Sequence, residues 1–282
     1  KALLQDGRFR VRAVITDPAR YTDSIRGCFQ SVPANSHNPF SLNQAMLGAD
    51  YGFLTLDDTG LQPDQYLTLA RKLADAAKGA ELEHCVWYTT EAPDSLNGVP
   101  KTGLAQLEAE VESARYARQT GMQLTVVAGS FTFESLLDFA KLTLDRRAHM
   151  VTLPLGSVPV PAIALESIGR CVAAVLAYPL LYRTRCLTLA TEKRTLREYC
   201  DALSTATGKH FAYNEVGSDV FGMAASHRTM STLCQLITAR NKPYCLSRAT
   251  GTAAKLVPDC VSFEAWAKVA VKPNDPNWEQ QL

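Results

Sequence analysis

Strand-like and helix-like stretches alternate between residues 8 and 144, and this alternation constrains the fold of the chain more than any other feature. In residues 8–20 (RFRVRAVITDPAR), Val11, Ala13 and Ile15 alternate with Arg10, Arg12 and Val14 and run on to Thr16, which predicts a strand. Asp17-Pro18 stops it, because proline has no N–H to give a ladder. Ahead of it, residues 1–6 (KALLQD) are predicted as the last turns of a helix, with Gly7 as the left-handed residue past its end. Residues 28–32 are expected to form a short strand, and residues 41–47 a short helix ended by Gly48. Residues 51–56 (YGFLTL) are expected as a buried strand. Pro63 opens a helix that shows Tyr66, Leu69, Ala70, Leu73 and Ala77 on one face, with Gly79 just past its end. His84–Thr89 (HCVWYT) is the next strand; a helix follows with Leu104, Leu107, Val111 and Ala114 aligned and stops at Gly121. Leu124–Ala128 (LTVVA) is a strand, followed by Gly129 and a helix over residues 134–144. Strands recur about every 20–35 residues, a spacing that needs crossover helices and hence a parallel, doubly wound α/β sheet.

From His149 the texture changes: prolines fall at 154, 159 and 161, and helices are predicted over residues 166–177, 196–207, 229–240 and 263–271. Thr195 and Glu198 form a capping box, and short strands are expected at 185–189 and 210–214. The expected organisation is therefore a Rossmann-like domain over 1–148 and a smaller, mostly helical α+β domain over 149–282.

The formal net charge is +1, so no long-range field draws the chain to nucleic acid or to an anionic membrane. No apolar run is long enough to span a bilayer. Eight cysteines contain no C-x-x-C pair, which points to buried reduced thiols and a cytoplasmic setting, with the nucleus also open. The histidines at 37, 84, 149, 210 and 227 have no ligand spacing, so no metal site is expected. There is no G-x-G, no G-x-S-x-G, and no tyrosine with a lysine four residues later.

Doubly wound sheets bind ligands at the carboxyl ends of their strands. After the first strand come Thr16, Asp17 and Arg20. Asp17 suits an adenosine ribose and Arg20 a 2′-phosphate, which leaves NAD(H) and NADP(H) both open. Asn35, then Leu56 and Asp57, then Thr89 end the following strands, and Phe131 and Phe133 follow Gly129. Each has an ordinary alternative as a turn residue, strand terminator or core side chain.

Several stretches carry a resemblance. KALLQDGRFRVRAVITDPAR looks like the helix–strand unit after a glycine-rich loop, LGADYGFLTL like a fourth strand, and GSFTFESLL like a turn and helix near a nicotinamide. ALESIGR at 164–170 resembles a D-I-G segment with Glu166 for the aspartate, and VSFEAWAK at 261–268 a closing helix. Together, in this order, they resemble the NmrA-like family of atypical short-chain dehydrogenases, especially its NADPH-sensor type. The resemblance implies a dinucleotide-binding regulator that meets a protein partner through residues 149–282. Three departures bear on this. The family's glycine loop is absent from residues 1–282, its basic residue after the second strand falls on Thr16, and its lysine falls on Glu110, with Lys101 out of register. Dehydrogenase turnover is accordingly not expected, and residues 1–282 are expected to bind a dinucleotide weakly. The other two readings are an NAD(P)-dependent oxidoreductase of unknown substrate and a protein that binds no nucleotide and acts by contact alone.

The opening half-unit also implies that the chain continues upstream of Lys1 and that a central strand is missing. The strands at 9–16 and 51–56 then flank a slot of roughly 9–10 Å, two strand spacings wide. That slot is expected to stay open and to be lined by Val11, Ala13, Ile15, Phe53 and Thr55.

Overall fold

The computed structural model describes residues 1–15, 30–56, 61–94, 105–142, 147–224 and 227–271. The chain forms two units, residues 1–128 with 169–187, and residues 129–168 with 188–282. The strands, numbered along the chain, are β1 (Arg12–Ile15), β2 (Gln30–Pro33), β3 (Tyr51–Leu54), β4 (His84–Thr89), β5 (Leu124–Ala128), β6 (Phe131–Thr132), β7 (Ala140–Leu142), β8 (His149–Leu153), β9 (Val160–Ile163), β10 (Cys186–Thr188), β11 (Glu192–Arg194) and β12 (Phe211–Glu215).

In the first unit, β3, β4 and β5 run parallel, and β10 adds to β5, giving the order β10-β5-β4-β3. β1 and β2 form a separate parallel pair. Among the described residues, β1 and β3 share no ladder. The helices Pro39–Met46, Pro63–Gly79 and Ala105–Gln119 cover one face of the sheet, where Leu42, Tyr66, Leu73, Ala114, Trp87 and Val126 share one apolar core. β4 and β5 are buried along nearly their whole length, as strands covered on both faces must be. Local signals act where they stand in the sequence. Gly7 and Gly121 take φ near 75° and 73° past their helices, and Pro63 sits in the first turn of its own.

Two expectations here need correction. Gly79 is not past its helix but is its last residue, and the left-handed turn falls on Glu81 (φ 57°). The reason for a glycine is close packing: a Cβ at 79 would lie 3.0 Å from Asn43 Nδ2, which donates to the Ala76 carbonyl. The strand at 51 is four residues long, and Phe53 is 43% exposed, so the stretch is not buried throughout.

In the second unit, one sheet has the order β11-β9-β6 and another β12-β8-β7. Phe133, Tyr199, Phe263 and Trp266 form an aromatic core, with Phe133 and Phe263 edge to face at 5.0 Å. The Thr195–Glu198 capping box is present at the start of the Leu196–Thr207 helix. The helix expected over 134–144 is shorter: it spans Phe133–Asp138, and β7 follows, antiparallel to β8. β8 and β9 were not expected, because prolines surround them. Pro161 is tolerated because Ala162 turns its carbonyl toward β11 to accept the Thr191 N–H. The missing Pro161 N–H therefore points to the β6 side, and β6 begins one residue later, opposite Ala162. Among the described residues, the cysteines at 85, 171, 200 and 234 are buried, those at 245 and 260 are partly exposed, and Cys186 is exposed.

Candidate functional site

Thr16, Asp17, Arg20 and Asp57, and with them Lys101, lie outside the described residues. Asn35, Leu56 and Thr89 all follow or end strands of the first unit. Asn35 is exposed in the turn after β2. Its Oδ1 accepts the His37 N–H at 2.9 Å, and its own N–H donates to Ser41 Oγ at 3.0 Å. Asn38 then caps the Pro39–Met46 helix by accepting the Phe40 and Ser41 N–H groups. Leu56 packs against the apolar core below β3. Thr89 closes β4 opposite Ala128 and is 3% exposed, and its Oγ1 is buried with no hydrogen-bond partner among the described residues. Gln106, in the first turn of the next helix, has a buried Nε2 in the same condition. Glu110 is buried on the inward side of that helix.

Phe131 and Phe133 belong to the second unit. Phe131 lies in β6, and Phe133 sits at the centre of the aromatic core. Both are essentially without exposed surface. The residue after Phe133 is more telling. Glu134 accepts the Leu165 N–H at 3.2 Å, at the start of the Leu165–Ala177 helix, and the Trp266 indole N–H at 3.1 Å. Burial raises its carboxyl above the usual range. Arg248 is also buried: its Nε donates to the Gly129 carbonyl at 3.1 Å, and its guanidinium lies 3.8 Å from the Tyr244 ring centroid. It thereby fixes the first residue after β5. Sequence reasoning had no signal for this, since Arg248 stands alone in a polar stretch.

At the amino end of the same sheet, His84 and Thr125 form a second polar group. Thr125 donates its hydroxyl to the Tyr182 carbonyl at 2.6 Å, so toward His84 it can only accept. His84 therefore carries its proton on Nε2, 2.8 Å from Thr125 Oγ1, and leaves Nδ1 buried without a partner. Burial, with Arg183 adding to it, pushes His84 down to about 4. No cluster of His, Cys, Asp and Glu among the described residues could hold a metal, and no described helix is long and apolar enough to cross a membrane.

A dinucleotide needs a pyrophosphate cradle and polar groups for its sugars. The unmet hydrogen-bonding capacity of Thr89, at the carboxyl end of a central parallel strand, fits a sugar or amide group. Residues 1–282 contain no G-x-G loop for a pyrophosphate.

The family model described as the NmrA-like family matches residues 1–267. Among solved structures, the chain is similar to NmrA, a negative transcriptional regulator, in complex with NAD. That match has 18% identity and a TM-score of 0.79, over 98% of this chain and 94% of that one. NmrA in complex with NADP matches at 18% identity and a TM-score of 0.78 over the same shares. An NADPH-dependent quinone oxidoreductase from Escherichia coli, complexed with NADPH, matches at 16% identity and a TM-score of 0.72, over 95% and 93% of the two chains. At these identities the likeness is one of fold.

Proposed function

The chain belongs to the NmrA-like family, and from that premise we propose that it acts as an NAD(P)(H)-responsive regulator without dehydrogenase turnover. In this reading the first unit meets the dinucleotide along the carboxyl ends of β3 and β4. Residues 149–282 meet a regulatory protein partner. The observation that carries the reading is Thr89: a buried hydroxyl without a partner among the described residues, at the carboxyl end of a parallel strand, where doubly wound sheets bind ligands. When bound, the dinucleotide would supply hydride chemistry. Thr89 would hold a polar group of it by donating or accepting one hydrogen bond. The chain offers no tyrosine–lysine pair to move a proton to a substrate carbonyl, and Glu110 stands where the family's lysine falls. A glutamate there repels electrons on a developing alkoxide rather than neutralising them.

The test is a pair of measurements on residues 1–282. Calorimetric titration with NADPH and NADH is expected to give affinities weaker than micromolar, because these residues contain no G-x-G loop. Incubation with NADPH and a broad panel of carbonyls and quinones is expected to give no steady oxidation. Sustained oxidation that is lost in Lys101→Ala would replace this reading with that of an oxidoreductase. Complete absence of binding at millimolar dinucleotide would leave regulation by contact alone.

A further inference from the structure

Three short segments of the second unit close on one another in a ring of side-chain hydrogen bonds. Arg248 Nε donates to the Gly129 carbonyl at 3.1 Å. The Ser130 hydroxyl, next along the chain, donates to the Leu189 carbonyl. The Thr188 hydroxyl, one residue earlier, donates to the Ser247 carbonyl. Ser247 adjoins Arg248, whose Nη1 also donates to the Ser247 hydroxyl at 3.2 Å, and this closes the ring. The bonds between segments span 59 residues of sequence in two cases and 119 in the third, so the ring forms only when the unit is folded.

Two of these segments continue strands directly. Gly129 and Ser130 follow β5, and Thr188 ends β10. β10 rises alongside β5: the Thr184 N–H donates to the Leu124 carbonyl and the Val126 N–H to the Arg185 carbonyl, so the residue numbers increase together. Both strands therefore leave the sheet at its carboxyl edge, where doubly wound sheets bind ligands. Ala128, the last residue of β5, pairs with Thr89 in the ladder. One unbroken series of contacts thus runs from Thr89 through Ala128 and the Gly129 carbonyl to Arg248. From there it enters the Asn241–Ser247 helix, because the guanidinium lies 3.8 Å from the ring centroid of Tyr244 in that helix. The inner side of the helix is tied down further: Asn241 Nδ2 and the Cys245 thiol both donate to the Pro159 carbonyl, at 2.8 and 3.4 Å. Its outer side carries Lys242 and Leu246, both exposed.

We infer that this ring relays ligand occupancy at the carboxyl edge of the sheet to the Asn241–Ser247 helix, with Arg248 as the positioning residue that joins the two. The inference rests on the reading that Thr89 holds the dinucleotide, and it names the part of residues 149–282 that responds. Arg248 suits this role physically. Its guanidinium is planar and rigid, is 1% exposed, and is held by Gly129, Ser247 and Tyr244. A close-packed interior has no slack, so a shift of the Gly129 carbonyl moves the guanidinium, and Tyr244 and Ser247 follow. A lysine would keep the charge, but its single flexible ammonium cannot grip Gly129 and Ser247 at a fixed spacing while stacking on a ring. Coupling between two binding events is reciprocal. A partner that shifts this helix therefore changes dinucleotide affinity by the factor that the dinucleotide changes the partner's.

The test is amide NMR, resolved by residue, of residues 1–282 titrated with millimolar NADH, for the wild type, Arg248→Lys and Thr188→Val. In the wild type the amides of Thr89, Ala128, Tyr244 and Ser247 are expected to shift along one binding curve. In Arg248→Lys, Thr89 and Ala128 should still shift, while the shifts at Tyr244 and Ser247 are lost. Thr188→Val opens the ring only at the Ser247 carbonyl, so the Ser247 shift should shrink and the Tyr244 shift should persist. This second variant keeps the test decisive should Arg248→Lys fail to fold. The inference is overturned if Tyr244 and Ser247 stay still in the wild type while Thr89 and Ala128 shift, or if their shifts survive Arg248→Lys. An unchanged Ser247 shift in Thr188→Val overturns it too. No shift at any of the four amides would remove the dinucleotide reading and this inference with it, so Thr89 and Ala128 tell the two failures apart.

Discussion

The His84–Thr125 pair predicts a specific loss of stability in mild acid. In the folded protein His84 is neutral, with Nε2–H given to Thr125 and Nδ1 enclosed without an acceptor. Protonation would place a second N–H in that enclosure, near the Arg183 charge, and the imidazole is accordingly pushed down to about 4. An unfolded histidine titrates near 6.5, so between these values the unfolded chain binds the extra proton and the folded chain does not. Stability from this residue is thus fully present above about pH 6.5 and is lost as pH falls toward 4. The two values together imply a loss of about 2 kcal/mol between pH 7 and pH 5, and about 3 kcal/mol once titration is complete. The assay is urea unfolding of the wild type and of His84→Gln at several pH values over this range. The difference between the two proteins isolates His84 from the carboxylates that titrate nearby. It should shift against the wild type by about 2 kcal/mol from pH 7 to pH 5. Parallel pH profiles for the two proteins would show that Nδ1 finds an acceptor or solvent, and the tautomer argument would fail.

Thr89→Val keeps the branched shape and removes a hydroxyl that has no partner. It should stabilise the protein by about 1–2 kcal/mol while weakening dinucleotide binding about 2- to 12-fold. A destabilised variant in thermal unfolding would mean that the hydroxyl is bonded in the free protein. Arg248→Met removes the donor to the Gly129 carbonyl and the charge over the Tyr244 ring, and should cost about 2–3 kcal/mol in denaturant unfolding. A cost below about 1 kcal/mol would show that Arg248 does not hold the turn after β5.

Of the candidate residues, those whose meaning depends on strand ends were partly legible. Thr89 could be placed at a carboxyl end because HCVWYT is apolar, β-rich and bounded, and the strand does end there. Its significance was not legible, because an unmet hydrogen bond is a property of everything around the atom. Phe131 and Phe133 illustrate the opposite case. Their position after Gly129 suggested a ligand edge, whereas the ring contacts of Phe133 come from Tyr199, Phe263 and Trp266, far along the chain. Arg248 was opaque, and the role of Glu134 was too, for the same reason: their partners Gly129 and Trp266 lie 119 and 132 residues away.

The sequence by itself determined the alternating parallel architecture, the helix ends at Gly7 and Gly121, and the capping box at Thr195 and Glu198. These depend on φ preferences and on groups within a few residues of one another, so they can be read in a short window. Tertiary structure decided what long-range pairing controls. It turned residues 140–142 from helix to strand by pairing them with β8, and it made β9 a strand by placing the proline's missing N–H where no partner is needed. A ladder satisfies main-chain groups only when two distant segments meet in register, and no local pattern states which segments those are.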